Sequence, residues 1–230
     1  MDPRHVQLSD SLEGIARVGV VFLKHVAGGP VSLPLRKQMD DLASELRRSL
    51  EGRKLSELES VARIRKLYHS LGVDPTKDRP SSERLLRRVV HGKELPRVNR
   101  LVDTVNYASL RLQCPLGVYD WDRIVPPVLV RIGRPQERFV KFSRSTGTDS
   151  AVHQDINLHG RIVLVDGEGL FGNPSHDSER TLVTPGTVRA LVVAWAPADA
   201  PRSFLESVIK EVSELCEEYC DSKMASSAIL

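Results

Sequence analysis

Long hydrophobic runs are missing from this chain of 230 residues. The longest apolar stretches, at 18–23 and 190–196, fall far short of the roughly 20 residues that a membrane-crossing helix needs. Neither can span a bilayer, and no membrane partner is expected. Residues 1–9 carry charges with no apolar core behind them, so no export leader is expected and a cytoplasmic location follows. Cysteine is scarce. Cys114, Cys216 and Cys220 make an odd count without framework spacing, which fits a reducing compartment rather than a disulfide-stapled fold. Cys216 and Cys220 stand one helical turn apart, but their neighbourhood supplies no further metal ligands, so they read as buried thiols. The histidines, at 5, 25, 69, 91, 153, 159 and 176, show no paired ligand spacing on a helix. No metal is expected.

Nucleotide and hydrolase signatures are absent too: there is no Walker loop, no G-x-S-x-G elbow and no H-E-x-x-H string. Residues 167–172 do match G-x-G-x-x-G. However, Asn173, Pro174 and Ser175 come next, and a phosphate-cradling helix cannot start on that continuation. A turn between strands is expected there, and no cofactor.

With 40% hydrophobic and 27% charged residues, the composition suits one globular domain with an appended element. The expectation is a single domain over 1–230, with 1–55 as an N-terminal strand-and-helix extension packed on it. The net charge of +3 is mild but uneven. Arg79, Arg84, Arg87, Arg88, Lys93, Arg97 and Arg100 face only Glu83 and Glu94, whereas Glu206, Glu211, Glu214, Glu217 and Glu218 dominate near the end. A basic stripe of this kind is compatible with a phosphate-bearing partner or with a solvated face.

Along the chain, residues 15–26 read as a Val-rich strand ending at Gly28-Gly29-Pro30. Helical spacing follows at 35–50, through Met39, Leu42, Leu46 and Leu50, and again at 58–71, closing at Gly72. Pro80, Ser81, Ser82 and Glu83 have the composition of a helix start. In the helix they open, Leu85, Leu86, Val89 and Val90 gather on one side and Arg84, Arg87, Arg88 and His91 on the other, which predicts an outward basic face. Short strands are expected at 128–132, 138–142, 161–165 and 189–195, and a closing helix at 203–219. This order points to α+β layering rather than a βαβ repeat. Residues 177–181 form a polar cluster, either a solvated hairpin loop or a substrate-facing one.

The run 95–110, LPRVNRLVDTVNYASL, is followed by PLGVYD at 115–120. Two Asn and two Asp beside apolar neighbours are odd for a helix, since buried amides and carboxylates must find partners, and they would be at home lining a polar pocket. These residues resemble the module made by the third and fourth B domains of the bacterial phenylalanyl-tRNA synthetase beta subunit. The shared pattern is an Asn, a hydrophobic pair with Asp, then Asn-Tyr, a Leu, and a Pro leading to an aromatic-Asp pair. It registers without a gap from Val102 to Asp120. Arg79 to Glu83, Leu86-Arg87-Arg88, and Asp177 to Thr181 with Thr187 resemble further marks of the family, so the likeness spans roughly residues 60–197.

The resemblance implies a layered, β-sandwich-like core with flanking helices. In the synthetase, the module removes tyrosine wrongly attached to the tRNA for phenylalanine. By that likeness Asn106 matches an Asn of the editing pocket, while Asn99, Asp103 and Asp120 match polar positions that shape it, with Arg180 and Thr181 from the downstream mark. The tRNA or aminoacyl-tRNA partner would meet Arg84, Arg87, Arg88 and Lys93. Two positions depart from the family: Val105 stands where it has Thr, and Gly117 where it has a His associated with editing, which would enlarge the pocket. The chain is too short to hold the rest of the subunit and is not expected to charge tRNA. Two readings stand side by side: a deacylase of mischarged aminoacyl-tRNA acting in trans, and a binding module for tRNA or an amino-acid-like ligand without chemistry.

Overall fold

The computed structural model describes residues 2–144 and 151–230. In chain order the elements are β1 (Val6–Leu8), β2 (Ala16–Lys24), α1 (Leu33–Ser49), α2 (Glu59–Ser70), α3 (Ser81–Val90), α4 (Arg100–Leu112), β3 (Leu116–Asp120), β4 (Val128–Ile132), β5 (Arg138–Arg144), β6 (Ala151–Asn157), β7 (Ile162–Asp166), β8 (Gly169–Gly172), β9 (Arg189–Pro197), α5 (Arg202–Cys220) and β10 (Lys223–Ile229).

The apolar runs of β2 and β9 are continuous because both of their faces are buried. They pair antiparallel over their whole lengths, within a sheet ordered β10-β2-β9-β3. Alternation then splits their side chains. Val18, Val20, Phe22, Leu191, Val193 and Trp195 point to one side and pack on Val128, Val130, Leu164 and Phe171. Those partners belong to a second sheet, ordered β1-β4-β7-β8, in which only β1 runs parallel to its neighbour. Val21, Leu23, Ala190, Val192 and Ala194 point the other way, onto Leu101, Val105 and Ala108 of α4 and Leu205, Val208 and Val212 of α5. The layers are therefore helices, sheet, sheet: the expected α+β sandwich with flanking helices. Small side chains bring the helical layer close, since a Cβ added at Gly19 would touch Leu205 and Ile209 at 3.5 and 3.6 Å. Residues 1–55, expected as an extension, contribute β2 to the interior of the first sheet, hydrogen-bonded on both sides.

The G-x-G-x-x-G string builds the turn between β7 and β8, where Asp166 Oδ1 accepts from the Glu168 and Gly169 amides at 3.0 and 3.1 Å. The positive φ of Gly169, 125°, is open to a residue without a Cβ. This is the expected strand connection.

α3 begins at Ser81, where its composition predicts a helix start, but its own side chains do not cap it. Pro80 holds the cap position with no side-chain cap bond. The Glu83 carboxylate is fully buried and accepts from Arg65 at 2.9 and 2.7 Å and from Arg79 at 3.1 Å. Two guanidinium groups outcompete the helix N–H groups for it, because charge-assisted bidentate bonds are the stronger kind. Removing one partner of a buried ion cluster leaves the others uncompensated, at a cost of about 3 kcal/mol. Glu83→Gln should lower the urea midpoint accordingly, and an unchanged midpoint would show that α2 and α3 hold together without the cluster.

Candidate functional site

The first turn of α3 abuts the loop 173–177, with the Ser81 amide donating to the Pro174 carbonyl at 3.0 Å. Between this loop, α3, Asn106 of α4, Leu116 of β3 and Lys141 of β5 lies a cleft of about 490 Å³. Its most deeply set cation is Arg84, which the helical pattern assigns to the outward face. Instead its Nη2 donates to the Ser175 carbonyl and its Nη1 lies 3.4 Å from His176 Nδ1. The loop folds over this edge of α3, and a helical wheel contains nothing of a segment 91 residues away. Burial pulls the Arg84 guanidinium below its ordinary pKa.

His176 bridges Arg84 and Asp78. Its Nε2 lies 3.2 Å from Asp78 Oδ1, at ion-pair distance but out of hydrogen-bond alignment, since that oxygen has no hydrogen-bond partner. Burial lowers the imidazole pKa and the Arg84 charge adds to this, while Asp78 opposes it. The ring is therefore neutral at physiological pH, with Nδ1 accepting from Arg84 and the proton on Nε2. Asp78 also pairs with Arg161. Burial alone would raise its carboxyl, but His176 and Arg161 outweigh burial and hold it below the usual range. Behind the loop, the Tyr68 hydroxyl and Ser175 Oγ are 2.6 Å apart.

Asp177 also lines the cleft. Burial pushes its carboxyl up to about 6, against the Tyr119 hydroxyl and the Arg84 charge, which favour ionisation. The residue is partly exposed, yet its Oδ1 is buried and completes no hydrogen bond; neither does the Tyr119 hydroxyl. Unpartnered polar atoms gather here: Ser81 Oγ, Asn173 Nδ2 and Asp177 Oδ1 all belong to cleft residues.

The expected site residues do not all meet. Asn106, Arg84 and Arg88 line the cleft. Arg88 also holds the Glu94 carbonyl at 3.0 and 2.8 Å, Arg87 approaches His91 at 3.4 Å, and Lys93 is exposed. Asn99 caps α4, accepting from the Val102 amide at 2.9 Å and donating to the Val183 carbonyl at 3.4 Å. Asp103 accepts from the Val98 amide at 3.0 Å. Asp120 accepts from Thr187 Oγ1 at 2.6 Å and from the Asp122 amide at 3.0 Å. Arg180 pairs with Asp166 at 2.7 Å and Glu168 at 3.2 Å, across the β7–β8 turn. Thr181 is buried beside it, its hydroxyl unpartnered. None of these five lines the cleft.

Gly117 opens no space. A Cβ there would fall on the Tyr119 hydroxyl and lie 2.9 Å from the ring carbon that bears it; a Cβ at Gly172 meets the same hydroxyl. Two glycines thus admit one tyrosine, which fills what a missing side chain would vacate. Overpacking costs about 1–3 kcal/mol, so Gly117→Ala should destabilise by that much in thermal melts, and Tyr119→Phe in the same chain should restore part of it. Equal losses in the single and double variants would contradict the clash.

Lys141, Asn173, Ser175 and His176 escape the sequence reading. Three of them follow directly on the glycine-rich string, so the residues that break the nucleotide motif build the cleft wall. Nothing near Lys141 in the chain marks it.

Asp103 has a measurable signature. Burial pushes its carboxyl from 3.8 up to about 6, because its Oδ2 has no partner. The folded state then binds the proton more tightly than the unfolded one, so this carboxyl's own contribution to stability is greatest below about pH 4 and is lost as pH rises to about 6. Asp177 acts in the same window. Asp103→Asn should remove part of that fall, at most about 3 kcal/mol, in denaturant midpoints compared at pH 4.5 and 7.5. An unaltered pH slope would place its charge in solvent.

Among the described residues, no helix is long and apolar enough to cross a membrane, and no group of three or more His, Cys, Asp or Glu could hold a metal ion. A family model described as the B3/4 domain matches residues 63–221, more than half of the chain. The sequence matches no curated protein. Among solved structures, the crystal structure of an N-terminal fragment of the phenylalanyl-tRNA synthetase beta-subunit from Pyrococcus horikoshii is similar, with a TM-score of 0.49 and 14% identity. The alignment covers 95% of this chain and 49% of that one, so the chain spans about half the length of the fragment.

Proposed function

Since the chain belongs to the B3/4 domain family, we propose that it is a tRNA-binding module of the phenylalanyl-tRNA synthetase beta-subunit type that hydrolyses mischarged aminoacyl-tRNA in trans. The observation that carries this reading is the meeting of Asn106 with Arg84, Arg88, Lys141 and Asp177 around one cleft. Cleavage of an activated aminoacyl ester asks for an oriented carbonyl and a positioned water more than for a strong nucleophile. In this reading Arg84 and Asn106 orient the ester inside, while Arg87, Arg88 and the exposed Lys93 meet phosphates at the mouth. Asn99, Asp103, Asp120, Arg180 and Thr181 brace the surrounding turns and helix starts.

A second reading, a binding module without chemistry, draws support from the imidazole that lines the cleft among the described residues. His176 is held between Arg84 and Asp78, and Gly117 stands where the family has a His. Deacylation of tyrosyl-tRNA for phenylalanine separates the two. Release of tyrosine above the buffer rate, reduced at least tenfold by Arg84→Ala, is the expected result. No release from any mischarged tRNA would eliminate the first reading. Binding whose salt slope drops by about one charge in Lys93→Gln would then leave the second in place.

A further inference from the structure

α1 and α3 end side by side, joined where Arg47 Nε donates to the Val89 carbonyl at 3.0 Å. Each last turn carries two arginines, Arg47 and Arg48 on α1 and Arg87 and Arg88 on α3, and Lys93 follows just beyond. Arg47, Arg48 and Lys93 are exposed. The hydrogen bonds of these five side chains go to neutral groups: the Val89 carbonyl, the Glu94 carbonyl and the His91 ring. None of the five is in an ion pair among the described residues, although Glu45, Glu51 and Glu94 neighbour them in the chain. Elsewhere the surface behaves differently, and Arg63, Arg138 and Arg202 hold the carboxylates of Glu59, Asp155 and Glu206.

Cations are favoured at helix C-termini by the macrodipole, which accounts for a pair of arginines in either last turn. It does not account for two such ends brought together, where the like charges repel, or for Lys93 past the end of α3. A cluster of cations left without counter-charges of its own is the footprint of a polyanion. The segments 33–54 and 81–100 contain no Phe, Tyr or Trp. Single-stranded RNA is held largely by aromatic side chains on which its bases stack, so this surface offers unpaired bases nothing and phosphates a great deal.

We infer that α1 and the end of α3 form a docking surface for the phosphate backbone of an RNA duplex, gripped without reading its bases. α1 lies outside the span matched by the family model, 63–221, so one side of this surface is built by residues beyond the matched domain. Arg88 also lines the cleft, and the surface therefore continues from the cleft mouth onto α1. The duplex becomes a stem of tRNA only on the reading given above; the surface itself needs nothing but backbone phosphates.

The test uses the full chain, with uncharged tRNA, a short RNA duplex of unrelated sequence, a single strand of the same length and polyglutamate as probes, each titrated over a range of salt. The duplex and tRNA are expected to bind with similar affinity, and the single strand and polyglutamate more weakly. Arg47→Gln with Arg48→Gln should weaken duplex binding roughly tenfold at low salt and reduce the salt slope by about two charges. Arg47 also holds the Val89 carbonyl, so melting temperatures are recorded, and Arg48→Gln alone, which breaks no hydrogen bond, should still lower the slope by about one charge. An unchanged slope in both variants removes α1 from the surface. Polyglutamate binding as tightly as the duplex, a single strand binding as tightly, or tRNA binding where the unrelated duplex does not, each overturns the inference. If mischarged tRNA is cut while the α1 variants bind and cut like the unaltered chain, the surface fails and the deacylase stands. If the duplex binds through α1 but no tRNA is cut, the deacylase fails and the surface stands.

Discussion

A single buried carboxylate sets the phase of the helix on which the cleft depends. Glu83 sits with its side chain out of solvent, bound by Arg65 of α2 and by Arg79 just before α3. Such a cluster adds little net stability over an apolar substitute, yet it tolerates almost no displacement, because each charge is costly when its partner moves away. With residue 83 pinned toward α2, the next side chain along the helix is carried about 100° around the axis. That rotation delivers Arg84 to the loop at 173–177, where Ser81 and Arg84 both bind carbonyls of the loop backbone. The cleft wall and the cation within it are thus positioned from a point outside the cleft.

The sheet at the centre of the molecule supplies the rigid frame. Because β2 and β9 are covered on both faces, neither can shift register by one residue without driving apolar side chains out of both layers. β3, paired with β9, brings Gly117 and Tyr119 up beneath the loop, and Phe171 packs edge-on against the Tyr119 ring, with centroids 5.1 Å apart. The polar tip of this tyrosine is the only part that the apolar stack leaves unanswered, and it comes to rest beside Asp177.

What could be read from the sequence follows from where each signal originates. β2, β9 and the helices from 33 to 90 announced themselves because their burial is local to their own pattern. β10 did not: it lies at an edge, so residues 223–229 alternate weakly and carry few large apolar groups. β6 and β8 were likewise too polar or too short to register. At the site, Asn106 was reached through the family likeness, whereas Asn99, Asp103 and Asp120 proved to serve backbone amides at helix starts and turns. An Asn or Asp that caps and one that lines a pocket look the same in one dimension, because the same short polar side chain performs both tasks. Arg84 was assigned to solvent since helical periodicity knows only its own helix, and Lys141 was invisible since its place depends on a hairpin crossing to a distant loop.

The pairing of β2 with β9 has a consequence for how the protein reaches this state. Residues near the start of the chain must wait for partners at 189–197 before either strand is covered, and contacts spanning such separations are the slow ones to form. During that interval a nine-residue strand, ARVGVVFLK, with charge confined to Arg17 and Lys24, is available to any other unpaired strand. The segment that is most secure in the finished molecule is therefore the one most exposed to aggregation before it is finished, and crowding during synthesis would be felt there first.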